Sequence, residues 1–189
     1  MKYLALDIGN VCIKINPVSA YSRMGFDSLP PEIISVSRKF ESGRLSFDEM
    51  LDFFQKHPAG QGFSKMEMTE TFISILQEPM PGMEKLITSL PSRGIQPVFF
   101  SDISEIHIRK TREMFKAAVA VPCGIYSYQV GFMKPAKEMF RNFEKRFGSP
   151  CLYVDDRADL IAAATEYGWN AWQFTSAQDL ADKIAELDI

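Results

Sequence analysis

Tyr3-Leu4-Ala5-Leu6-Asp7-Ile8-Gly9-Asn10-Val11 opens the chain with a short apolar run that stops at a carboxylate. Such a run, bounded by turn material, reads as a strand buried on both faces, the kind that parallel sheets use. Asp7 stands at its carboxyl end and Gly9-Asn10 turns the chain. The pattern recurs. Residues 95–100 form an apolar run ending at Ser101-Asp102, and Cys151-Leu152-Tyr153-Val154 ends at Asp155-Asp156. Weaker strand patterns lie at 119–121 and 125–128, and a clearer one at 170–174. Helical spacing marks 83–90, 104–115, the stretch from Pro135 through Phe147, 158–167 and 176–187. Alternating strand and helix predict an α/β fold, a Rossmann-like parallel sheet with helices on both faces and right-handed crossovers.

Residues 17–79 depart from this alternation. Pro30-Pro31 starts a helical pattern over 32–40, and Glu41-Ser42-Gly43-Arg44-Leu45 stops it. Ser46 with Glu49, and Ser64 with Glu67, are capping-box signatures ahead of apolar helical faces. The stretch reads as helices with little strand signal. The expected division is an α/β core, 1–15 and 80–189, interrupted by a helical cap, 16–79. Phe53, Phe54, Phe63 and Phe72, with Met50, Met66 and Met68, are expected to form the core of that insertion or to line a pocket beneath it. His57 and His107 lack partners at metal-binding spacing and read as surface or helix histidines; Trp169 and Trp172 read as packing residues.

Composition narrows the function classes. The 189 residues carry a net charge of −3, with 46% hydrophobic and 24% charged residues, ordinary for a globular protein. Without a basic surplus, neither nucleic acid nor an anionic membrane is an expected partner. No stretch approaches the roughly 18 apolar residues of a membrane span. The first apolar run is broken too early by Asp7 to predict a secretory signal. Cys12, Cys123 and Cys151 are odd in number and far apart, so they predict small buried thiols in a reducing, cytoplasmic setting.

In an open α/β sheet, sites form outside the carboxyl ends of the strands. Asp7, Ser101-Asp102 and Asp155-Asp156 are therefore expected to face one crevice. Carboxylates so close repel one another unless a cation joins them, and all-oxygen ligands suit Mg²⁺. Lys134, in Gly131-Phe132-Met133-Lys134-Pro135, can add a second positive charge. The plainer alternative is that each aspartate merely ends a strand or caps the next helix.

These pieces, in this order, resemble the haloacid dehalogenase superfamily of phosphohydrolases. The resemblance rests on Leu4-Ala5-Leu6-Asp7-Ile8-Gly9-Asn10-Val11, Phe99-Phe100-Ser101-Asp102, Gly131-Phe132-Met133-Lys134-Pro135 and Val154-Asp155-Asp156. Met80-Pro81-Gly82-Met83 resembles the family's re-entry into its core, and Glu41-Ser42-Gly43-Arg44-Leu45-Ser46 a segment of its small helical cap. The Asp-Ile-Gly-Asn-Val and Asp-Asp forms are most similar to the branch holding sugar-phosphate phosphatases, glucose-1-phosphatase among them, and the phosphatase domain of soluble epoxide hydrolase.

The resemblance implies that Asp7 attacks phosphorus and forms an aspartyl phosphate. It implies Mg²⁺ held by Asp7, the Gly9 carbonyl and Asp156, with Asp155 beside it. It also implies that Lys134, Ser101, Asp102 and Asn10 surround the phosphoryl group. Three positions depart from the common pattern. Gly9 stands where a second aspartate usually serves as acid and base, Asp102 where Asn often follows the Ser, and Leu160 where this branch often has Asn. The expected function is a Mg²⁺-dependent phosphatase of a small phosphorylated metabolite, monomer or homodimer. A catalytically impaired relative that binds phosphate ligands or protein partners, and a dehalogenase, are the alternatives.

Overall fold

The computed structural model describes residues 1–25, 28 and 30–187. The chain begins with β1 (Lys2–Leu6), passes the Asp7 loop, and forms β2 (Ile13–Ile15). Four helices follow: α1 (Pro17–Ser22), α2 (Pro31–Glu41), α3 (Phe47–Lys56) and α4 (Lys65–Ile73). Both expected capping boxes form, Ser46 with Glu49 at α3 and Ser64 with Glu67 at α4. The chain returns through β3 (Leu76–Pro79) and continues with α5 (Met83–Ser89), β4 (Ile95–Ser101) and α6 (Glu105–Met114). It finishes with β5 (Gly124–Tyr126), α7 (Ser127–Val130), α8 (Lys137–Phe147), β6 (Leu152–Asp155), α9 (Ala158–Tyr167), β7 (Ala171–Gln173) and α10 (Ala177–Glu186).

A five-stranded parallel sheet in the order β5-β4-β1-β6-β7 forms the core. β1 sits in the middle, with Leu6 opposite Phe99 of β4 on one side and Val154 of β6 on the other. Side-chain parity sorts the two faces, because successive residues of a strand point to opposite sides. Leu4, Leu6, Phe99, Leu152 and Val154 pack with Met83, Ile87, Ile108, Leu180 and Ile184 of α5, α6 and α10. Ala5, Val98, Phe100, Ile125 and Tyr153 pack with Met139, Phe140, Phe143, Ala164 and Trp169 on the side of α8 and α9. This is the expected three-layer α/β arrangement.

Two expected strand readings are corrected. Residues 119–121 form no strand: Lys116–Ala120 is a 3₁₀ turn with Ala117 and Ala118 buried and Val119 exposed. The stretch 17–79 does contain a strand, since β3 pairs antiparallel with β2 in a short ribbon. Strands this short carry no periodicity that distinguishes them from loop. The thiols are also less uniform than expected: Cys12 is buried, while Cys123 and Cys151 are only half-buried.

α1–α4 surround their own apolar cluster, with Tyr21, Ile33, Phe40, Met50, Leu51, Phe54, Met68 and Phe72 inside it. Of the expected members, Phe53 and Phe63 pack at its edge and Met66 is exposed. This helical layer is fastened to the sheet domain at named points. Ser127 Oγ donates to the Glu41 carbonyl at 2.6 Å, and the Arg44 guanidinium donates to the Gly131 carbonyl at 3.0 Å. His107 is a helix histidine, on α6, and is buried; its ring stacks on Phe72 and Nε2 donates to the Phe72 carbonyl at 2.9 Å. Gly43, at φ 68°, lies so close to the Tyr128 carbonyl that a Cβ there would meet its oxygen at 2.2 Å. Gly43→Ala is therefore expected to lower the unfolding free energy by about 1–3 kcal/mol through overpacking and left-handed strain. Urea unfolding measures this, and an unchanged midpoint would mean that the segment does not rest on Tyr128.

Candidate active site

β1, β4 and β6 are neighbours, so their carboxyl ends bring Asp7, Ser101 and Asp155 side by side. This is where the chain order reverses across the sheet, β4 lying on one side of β1 and β6 on the other. The loop before α8 drops Lys134 between them. Its Nζ donates to Asp7 Oδ1 at 3.0 Å, to Asp155 Oδ2 at 2.6 Å and to the Phe100 carbonyl at 3.2 Å. All three ammonium protons thus have protein acceptors. The Phe100 and Tyr153 rings lie 5.6 and 5.7 Å from the same nitrogen. The ion triad is almost wholly buried, so each charge depends on the others for compensation.

Asp155 is fully engaged: Tyr153 hydroxyl and Lys134 share Oδ2, and the Arg157 amide donates to Oδ1 at 3.0 Å. Asp102 Oδ1 accepts from the Lys134 amide at 2.9 Å, which fixes the loop that carries the lysine. Asn10 adopts φ 52°, a region Asn tolerates better than most residues. Its Nδ2 donates to Asp156 Oδ2 at 3.1 Å, and its Oδ1 accepts from the Ile15 amide at 3.2 Å. Asn10 and Asp102, expected at the phosphoryl group, also hold Asp156 and the Lys134 loop.

Burial pushes the Asp7 carboxyl up to about 7; the Lys134 ammonium opposes this and Asp155 adds to it. A hydrogen bond with the Ser101 side chain also favours the ionised form. Burial works against the Lys134 charge too, but the surrounding groups, Asp7 foremost, outweigh it and hold the ammonium well above its usual range. Burial is likewise the main cause that raises Asp156 and Asp102. Cys12, whose thiol donates to the Asp7 carbonyl at 3.3 Å, is kept protonated by burial and by the Asp7 charge.

Above these strand ends lies a cleft of about 290 Å³. Gly9, Ser101, Asp102 and Arg157 line it from the sheet domain; Tyr21, Ser37, Arg38 and Glu41 line it from the helical layer.

A sequence profile of the haloacid dehalogenase-like hydrolases matches residues 1–168. The chain belongs to this family. Haloacid dehalogenase-like structures share its fold. A HAD family enzyme from Bacteroides thetaiotaomicron, in complex with magnesium and inorganic phosphate, superposes with a TM-score of 0.80 at 18% identity, covering 97% of this chain and 98% of that one. A HAD-like family hydrolase from Porphyromonas gingivalis gives 0.81 at 18%, covering 99% and 97%. The L-2-haloacid dehalogenase from Xanthobacter autotrophicus, with chloropropionic acid covalently bound, gives 0.62 at 11%, covering 98% and 83%. At these identities the likeness is one of fold. No curated protein matches the sequence. Among the described residues, no helix is long and apolar enough to cross a membrane.

The donor set of this haloacid dehalogenase-like site fits a small hard cation. Carboxylate oxygens of Asp7, Asp155 and Asp156 lie within 4.8 Å of one another. Both Asp155 oxygens accept protein hydrogen bonds, whereas Lys134 takes one oxygen of Asp7 and Asn10 one of Asp156. Tyr153 was the residue the sequence reading missed. It stands two positions before Asp155 in an otherwise apolar strand, hence on the same face, and that parity was the available signal.

The raised Asp7 carboxyl makes stability depend on pH. Between its ordinary 3.8 and about 7, folded Asp7 holds a proton that the unfolded chain has released. The native state then binds more protons, so this group's contribution falls as pH rises through that window. In metal-free protein, the stability difference between wild type and Asp7→Asn is expected to decline from pH 4 to pH 7. Chemical unfolding at stepped pH measures it; a difference that rises with pH would show that Asp7 is ionised throughout.

Proposed function

We propose that this protein is a magnesium-dependent phosphatase that hydrolyses small phosphomonoesters through an aspartyl phosphate on Asp7. The observation that carries this reading is the Asp7–Lys134–Asp155 triad set next to Asp156, beside a small cleft lined by Gly9, Ser101 and Asp102. Asp7 keeps one oxygen on Lys134, which orients the other as nucleophile. Asp7, the Gly9 carbonyl and Asp156 are the groups that hold the metal in this reading. Bound magnesium supplies positive charge to the transferring phosphoryl group. The Ser101 hydroxyl serves the phosphoryl oxygens. Lys134 acts through Asp7 and Asp155, since its own protons are already placed. The helical layer α1–α4 plays the part of a cap, and a cleft of about 290 Å³ suits a small metabolite rather than a protein surface. The Bacteroides relative, described with magnesium and inorganic phosphate, lends support. The Asp-Ile-Gly-Asn-Val and Asp-Asp forms further favour the sugar-phosphate phosphatase branch.

One observation favours a second reading, a relative that binds phosphate without turning it over. Gly9 offers no acid, and a Cβ there would meet the Ile15 side chain at 3.1 Å. Hydrolysis of p-nitrophenyl phosphate separates the two, because its good leaving group needs little protonation. Magnesium-dependent release of nitrophenolate, abolished by Asp7→Asn and by chelation, is the expected result. A folded, magnesium-binding protein with no turnover would favour the second reading, and halide release in the presence of chelator would favour a dehalogenase.

A further inference from the structure

The Gly9 loop leaves the leaving-group oxygen without a proton donor. Its place is filled rather than open, because Ile15 occupies the space a longer side chain would enter and packs against the core of the helical layer. Asn10, the next polar residue, has both ends of its amide engaged and carries no acidic proton at all.

The helical layer presents a carboxyl from the opposite wall. Glu41 ends α2 and lines the same cleft as Gly9, Ser101 and Asp102. Its backbone is fixed from two sides, by Ser127 Oγ on its carbonyl and by Gly43 seated on the Tyr128 carbonyl. Among the described residues, no hydrogen bond reaches its carboxyl. The charged and titratable groups around it are Asp102 from the loop after β4, Arg38 one turn back on α2, Tyr21 on α1, and His107 and Arg157 on the cleft wall. Burial foremost, then Asp102, push the carboxyl up to about 7, with Arg38 opposing. A group poised near neutrality can both give and take a proton.

We propose that Glu41, delivered from the helical layer, is the general acid and base of this site, doing what Gly9 cannot. The proposal rests on the phosphatase reading. In the first step an Asp7 oxygen bonds to phosphorus while the ester P–O bond breaks. The departing oxygen keeps that electron pair and takes the Glu41 proton, leaving as the alcohol. In the second step the Glu41 carboxylate removes a proton from water as the water oxygen bonds to phosphorus. The P–O bond to Asp7 breaks, which restores the Asp7 carboxylate, releases inorganic phosphate and leaves Glu41 protonated again.

The test compares Glu41→Gln with wild type on an alkyl phosphate and on p-nitrophenyl phosphate, with folding checked by thermal melting. Loss of the acid is expected to lower kcat/KM for the alkyl ester by about 10²–10⁴-fold. For the nitrophenyl ester, kcat/KM should fall far less, while loss of the base slows breakdown of the aspartyl phosphate. A burst of nitrophenolate equal to the enzyme concentration, followed by slow turnover, is the signature. Glu41→Asp keeps a carboxyl and should recover part of the alkyl activity. Equal losses of kcat/KM on both esters, or no loss on either, would overturn the role of Glu41 while leaving the phosphatase intact. A wild type that hydrolyses neither ester would overturn the phosphatase reading, and this proposal with it.

Discussion

A single buried ammonium makes the arrangement possible. Two carboxylates at neighbouring strand ends, both shielded from water, would repel each other and lose their solvation if left alone. Lys134 meets both at hydrogen-bond distance, and the rest of the site is arranged to put it there. The adjacency of β1, β4 and β6 supplies the acceptors, the Phe100 and Tyr153 rings wall in the charge, and Asp102 fixes the lysine's own backbone. Removing one member of such a cluster typically costs about 3–5 kcal/mol, because a charge is left buried without a partner.

The charged machinery and the cleft wall belong to separate hydrophobic clusters. The sheet domain has one cluster on each face, and the helical layer has its own. What joins them includes the β2–β3 ribbon, Ile106 packed on the helical cluster, the hydrogen bonds from Ser127 and Arg44, and the His107–Phe72 stack. The wall facing the cleft can therefore vary in sequence without disturbing the ion triad. Tyr21, Ser37, Arg38 and Glu41 enter from that side, whereas the triad and its second layer of partners come from the sheet.

Much of this was legible from residues in order. The apolar runs of β1, β4 and β6 and the carboxylates that end them placed the crevice correctly, because burial on both faces leaves an unmistakable pattern. Capping signatures located the starts of α3 and α4 to the residue, since Ser and Glu three apart satisfy each other's backbone donors. The ribbon escaped notice because three or four residues cannot show a period. Individual hydrogen bonds were beyond reach for a different reason. Asn10, Asp102 and Asp155 lie at the strand ends and the loop that the sequence marked, yet which partner each one takes depends on groups more than twenty positions away, or on the turn of a loop. The burial of His107 likewise follows from contact with Phe72, distant in the chain.

The position of β1 at the centre of the sheet has a consequence for synthesis. It is made before the other strands of its sheet, and both its neighbours lie far downstream, at Ile95–Ser101 and Leu152–Asp155. At about 5–20 residues per second, roughly seven to thirty seconds separate β1 from its second partner. Both edges of this apolar strand are open until β4 is made, and one stays open until β6 follows, a template for pairing with other nascent chains. The helices made next have mostly local contacts and can form early. They gather around their own apolar cluster, apart from β1, so the strand's edges wait for the sheet itself.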